Sequence, residues 1–110
     1  MENSKNIIYS IDLDGPITPL MARDALVECF SQAHCADAGL TAENDEVNRA
    51  YCRDIVKKSF TESDGNFDNP SKQAILNAMG KLQDFAKKFR DPSIIQKHAV
   101  EMMKIVEKIN

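Results

Sequence analysis

The 110-residue chain is expected to fold as an all-α protein, a compact antiparallel bundle of four helices with an extended N-terminal arm. Proline and glycine occur four times each and fall mostly where helices would begin or end. Between those breaks apolar residues recur at a spacing of about 3.6, which lines them up on one face of a helix. After residue 18 no segment reads as a strand.

The arm covers residues 1–17 and the helical domain residues 18–110, with helices at about 18–38, 41–63, 70–90 and 92–109. Thr18-Pro19 reads as an N-cap followed by proline at the first helical position, where a missing N–H costs nothing. Met21, Ala25, Cys29 and Ala33, with Leu26 and Phe30 beside them, form the first stripe, and Gly39 is the expected left-handed terminator with Leu40 packing back. Thr41 or Asn44 is expected to cap the second helix, whose first turn carries acids that suit the helix dipole. Its apolar face is read as Val47, Tyr51, Ile55 and Val56, with Phe60 near the end. A turn-rich stretch over 63–69 follows, in which Phe67 is expected to anchor the loop to the core.

Asn69-Pro70 repeats the cap-and-proline signal before the clearest stripe, Ile75, Ala78, Met79, Leu82, Phe85, Ala86 and Phe89. Gly80 inside that helix marks either a close backbone approach or a tolerated surface glycine. Asp91-Pro92 ends the third helix and starts the fourth, which carries Ile94, Ile95, Ala99, Met102, Met103, Ile105, Val106 and Ile109. Residues 6–13 look extended without a second strand to pair with. They are therefore expected to lie across the helices or to pair with a second copy, and a homodimer is the expectation.

Composition narrows the class. Apolar residues make up 43% and charged residues 28%, the profile of an ordinary globular protein. No apolar run is long enough to cross a bilayer and no secretory signal is recognisable, so a cytoplasmic protein without membrane partners is expected. Three cysteines, an odd number, fit reduced thiols better than a disulfide framework. Residues 1–46 carry nine acids against two bases, and residues 47–110 carry twelve bases against eight acids. Such a division can align the two halves or steer two copies, although solvated helix faces account for it more simply.

The sharpest motif is the run Ile7 to Thr18, an apolar stretch leading into Asp12-Leu13-Asp14-Gly15-Pro16. It resembles the first motif of the haloacid dehalogenase-like phosphatases, an apolar strand followed by D-x-D-G-T. The resemblance implies a parallel sheet, Asp12 as nucleophile, Asp14 as general acid and base, and a bound Mg²⁺. Pro16 stands where that family has threonine. Read by themselves, Asp14-Gly15-Pro16 are turn chemistry, and both aspartates are solvated carboxylates near a helix N-terminus.

Cys29, Cys52, His34 and His98 form the candidate metal set, with Cys35 beside His34 as a candidate reactive thiol. A hairpin of the first two helices would bring Cys29 and Cys52 level, and two thiolates with a histidine suit zinc. Buried cysteines acting as small hydrophobes explain the same positions. The basic run Lys87-Lys88-Phe89-Arg90, with Arg53, Lys57 and Lys58, stands against a pI near 5.3 and a lack of interleaved aromatics, which argue against nucleic acid as a partner. Residues 64–69 fail the calcium-loop template.

The reading that follows is a small cytosolic helical interaction or scaffold protein, homo-oligomeric, with no cofactor and no assembled catalytic set. A metal- or thiol-dependent protein using Cys29, Cys52 and a histidine is the alternative, and phosphatase-like chemistry at Asp12 and Asp14 comes third.

Overall fold

The computed structural model describes residues 7–39 and 45–109. Four helices, α1 (Pro19–Ala38), α2 (Asp45–Glu62), α3 (Lys72–Phe85) and α4 (Ser93–Val106), pack into the expected bundle behind a short N-terminal hairpin. Helix α1 is the hub, touching α2, α3 and α4. Its Ala22, Ala25 and Ala33 are buried and small, so neighbouring helices come close, while Phe30 fills the centre with no exposure. Phe85 and Phe89 meet that ring with centroids 5.7 and 5.9 Å away.

The helix boundaries have local causes. Thr18 accepts the Met21 N–H through its hydroxyl at 3.2 Å, with Pro19 in the first turn. Gly39 ends α1 at φ 67° and donates its N–H to the Cys35 carbonyl, a conformation that favours glycine. Helix α2 closes in a Schellman motif: Asp64 takes φ 62° and donates to the Thr61 carbonyl, and Gly65 donates to the Phe60 carbonyl at 2.7 Å. Phe67 then turns into the core edge-on to Phe60, as the sequence suggests, and lies under the guanidinium groups of Arg23 and Arg53.

Several expectations are corrected. The cap of α3 is Ser71, whose hydroxyl accepts the Ala74 N–H at 3.1 Å, so the helix starts two residues after Pro70. It passes at Phe85 into a 3₁₀ turn, Ala86–Lys88, instead of continuing to 90. Asp91 does receive the start of α4, taking the Ser93 N–H at 3.1 Å and its hydroxyl at 2.6 Å, but regular helix ends at Val106. The expected second-helix cap at Thr41 or Asn44, and the packing of Leu40, lie outside the described residues.

The face of α2 differs in its first half, while Val56 and Phe60 are buried as expected. Val47 and Tyr51 are exposed at 73% and 51%, and the buried line runs through Asn48, Cys52, Val56, Ser59 and Phe60. Asn48 turns inward because its amide is satisfied there, donating to the Ser31 carbonyl at 3.0 Å and meeting His34 at 2.6 Å.

The arm is not a lone strand. Ile7–Ile8 (β1) pairs antiparallel with Ile11–Asp12 (β2), with Ile8 opposite Ile11. Tyr9 and Ser10 form the two-residue turn with φ 49° and 65°, the left-handed pair that suits strand twist. Ile11, Leu13 and Ile17 then enter the same core as the helices. Because β1 finds its partner within the chain, the homodimer expectation loses the unpaired strand that motivated it.

Candidate functional site

Cys29 and Cys52 belong to different interfaces. Cys29 lies between α1, α4 and the hairpin. Its thiol reaches the His98 carbonyl at 3.7 Å, and the Tyr9 hydroxyl sits 2.6 Å from His98 Nδ1. The Tyr9 and His98 rings stack at 5.9 Å. Cys52 lies between α1 and α2, with its thiol 3.8 Å from the Asn48 side-chain oxygen. Since the Asn48 amide nitrogen donates to Ser31, its oxygen is the acceptor facing His34, and His34 Nδ1 carries the proton.

These surroundings suppress thiolate chemistry. Burial pushes the Cys29 thiol up to about 12 against an opposing hydrogen bond from Tyr9. Burial likewise pushes Cys52 up to about 11, with a Ser31 hydrogen bond acting the other way. Tyr9 is also raised, mainly by burial and then by Cys29, so its hydroxyl stays protonated. Burial lowers His98, opposed by Glu101. Among the described residues no three His, Cys, Asp or Glu side chains are arranged to hold a metal ion. Of the four candidate ligands, Cys29 sits with His98 and Cys52 sits near His34, and the two pairs occupy different faces of α1.

The aspartates of the phosphatase-like motif are held in a turn. Asp12 accepts the Asp14 N–H at 2.9 Å through its carboxylate and the Gly15 N–H at 3.1 Å through its carbonyl. The two strands here are short and antiparallel, so the parallel sheet implied by the resemblance is not what carries this motif. Lys87 and Lys88 close the 3₁₀ turn after α3, while Lys57 and Lys58 lie near the far end of α2, so the basic residues do not form one patch.

Several grooves open among the described residues. One of about 430 Å³ lies between the hairpin and α4, beside Tyr9, Lys97, His98 and Glu101. A larger one, about 660 Å³, runs between the hairpin, α1 and α2. Among its lining residues Arg49 bonds to Glu28, which also takes the Gln32 amide at 2.8 Å from outside the groove, and Asp24 pairs with Arg23 at 2.7 Å. A further groove, about 380 Å³, lies between α3 and α4 and has an apolar lining of Leu76, Met79, Ala99, Val100 and Met103 beside Gly80. Val100 is 63% exposed. Beyond the backbone of its own helix and its chain neighbours, no atom lies within 4 Å of where a Cβ on Gly80 would stand, which makes Gly80 an open notch and decides for the surface-glycine reading.

No family model, curated protein or solved structure matches the chain. The site therefore rests on geometry. Leu76 and Val100 are the residues that periodicity passed over, since neither belongs to the stripe its helix buries. Their signal was available in the sequence: each is a large apolar side chain left over once the core face is assigned.

Proposed function

We propose that the protein is a small helical interaction module that works in the cytoplasm and presents the α3–α4 groove to a partner protein. The observation that carries this reading is the apolar groove itself, with Val100 exposed at 63% beside the open notch at Gly80. Met79 and Met103 supply adaptable thioether surface, which suits a site that moulds to a partner. Two deeply buried, protonated thiols and aspartates tied into a turn speak for a structural use of the residues that otherwise suggest chemistry.

The test is site-specific photo-crosslinking in cells. A photoreactive side chain at Val100 should capture a defined protein, and the same group at Asp54, exposed on α2, should not. Capture of a second copy at Val100 would make the module a homo-oligomer. Equal capture from both positions, or none from Val100, would sink the reading.

A further inference from the structure

We propose that β1 and the Tyr9 turn form an acid-released strap, closed over the α1–α4 seam by the contact between Tyr9 and His98 and let go when His98 takes up a proton. The hairpin straddles the seam, with β1 on α4 and β2 on α1. Its two sides are held unequally. Ile11, Leu13 and Ile17 are buried in the helical core and anchor β2. On the other side Ile7 is 54% exposed and Ile8 is half-buried, so much of the attachment to α4 falls to Tyr9, through its ring stack on His98 and its hydroxyl at Nδ1. Strands of two residues do not hold a hairpin closed by themselves. The left-handed conformations of Tyr9 and Ser10 are likewise ones that ordinary side chains keep only where contacts impose them.

Proton uptake works against this attachment. Neutral His98 offers Nδ1 as an acceptor to the Tyr9 hydroxyl at 2.6 Å, whereas an imidazolium has only donors. The Tyr9 proton is then left with the His98 carbonyl at 3.3 Å, which the Cys29 thiol also approaches at 3.7 Å. The new charge also arrives where the neighbouring groups do little to offset it. Tyr9 from the hairpin and Cys29 from α1 both stay protonated. Glu28, near Tyr9, bonds to Arg49 and Gln32. On α4 itself Lys97 lines the same groove with a like charge, and Glu101 is paired with Lys104 at 2.7 Å. Glu101 favours the charged ring, but burial outweighs it. Lifting the strap is the smallest opening that returns the charge to water.

Release changes the surface as well as the fold. Tyr9 is a wall common to the groove of about 430 Å³ beside α4 and the groove of about 660 Å³ beside α2. Its departure merges the two into one trough along α1, so acidification opens a surface that is divided at neutral pH.

The experiment follows the full chain by NMR from about pH 7.5 to about pH 5, above the ordinary carboxylate range, so that histidine is the side chain that titrates. The nuclear Overhauser contact between the Tyr9 and His98 rings should fade as His98 titrates, with the Ile8 methyl resonances moving in step. The contact between Phe30 and Phe85, whose ring centroids lie 5.7 Å apart in the core, should persist. His98→Gln keeps an acceptor for Tyr9 but does not titrate, so its Ile8 resonances should stay in place over the whole range. Lys97→Glu, at an exposed position, offers the imidazolium a counter-charge and should keep the strap closed to lower pH.

A Tyr9–His98 contact that persists while the His98 ring titrates would overturn the proposal. Its loss together with the Phe30–Phe85 contact would overturn it too, because the bundle would then be unfolding as a whole. The wild-type Ile8 shift recurring in His98→Gln would assign the response to another group, such as His34, and would equally sink the strap. Should His98→Gln not fold, Lys97→Glu decides alone, and an unmoved release pH in that variant counts against the proposal.

Discussion

At the scale of single residues, the turn after α2 sets two neighbouring positions in opposition. Asp64 adopts a left-handed conformation that costs an ordinary side chain about 1–2 kcal/mol, whereas glycine adopts it freely. Glycine also adds unfolded-state freedom worth about 0.4–1 kcal/mol, so Asp64→Gly should stabilise the protein by a net of about 0.5–1 kcal/mol. At Gly65 a Cβ would stand 3.0 Å from the Ala74 Cβ and 3.4 Å from the Phe60 carbonyl oxygen. Backbone on one side leaves little room to yield, so Gly65→Ala should cost about 1–3 kcal/mol. Urea midpoints of the two variants should therefore move in opposite directions. His98 makes a second residue-scale prediction. Its pKa is lower folded than unfolded, so the native state binds fewer protons near the unfolded value of 6.5. This contribution is fully present above 6.5, is lost as the pH falls below it, and levels off once the pH passes the folded value. Melting temperature should thus decline on mild acidification, and His98→Gln should flatten that part of the profile. An unchanged slope would place the sensitivity elsewhere.

At the scale of elements, the turn between α3 and α4 is held by a carboxylate from α1. Asp37 accepts the backbone N–H of Arg90 at 3.1 Å with one oxygen and that of Asp91 at 2.9 Å with the other. Asp37→Ala should cost about 1–2 kcal/mol, and Asp37→Asn about half as much, because an amide keeps one acceptor oxygen. Chemical denaturation would check both. This clamp was illegible in the sequence because Asp37 and Arg90 meet only after the bundle closes. Helices α1, α3 and α4 could be read from proline, glycine and a regular apolar stripe, since those signals are local. Helix α2 was read one position off in its first half, while Val56 and Phe60 were read correctly. Its Val47 and Tyr51 are more apolar than Asn48, and only the Ser31 carbonyl and His34 on α1 make the inward amide favourable. The hairpin was missed for a similar reason: its strands are two residues each and its turn is Tyr9-Ser10, without the glycine that usually signals one. Tyr9 is held there by His98, far away in sequence. The α3–α4 groove was half legible, as leftover apolar residues on each helix, while their juxtaposition belongs to the packing.

At the scale of the whole molecule, and among the described residues, Glu28 and Arg49 bridge the unevenly charged halves, whereas Lys58 with Glu62, Lys87 with Asp84 and Lys104 with Glu101 pair within local segments. Cohesion thus falls to the shared apolar core, and the cysteines can report on whether that core opens as one unit. Cys29 is 2% exposed at the α1–α4 side and Cys52 is fully buried at the α1–α2 side, while Cys35 is half-buried. A thiol reagent should label Cys35 first in the native protein. Cys29 and Cys52 react as thiolates, which their burial disfavours, so labelling them requires opening of the helix interface that covers each. If the bundle unfolds all or none, both should label with the same rate and the same dependence on denaturant, despite facing different neighbours. Chelator should change neither rate, since protonated thiols on different faces of α1 do not act as a shared metal site. Mass spectrometry of the labelled peptides over time distinguishes the outcomes. Faster labelling of Cys52 would mean that α2 detaches while α1, α3 and α4 stay packed. Faster labelling of Cys29 would mean that α4 and the hairpin lift away first, which would put the groove on the part of the bundle that opens most easily.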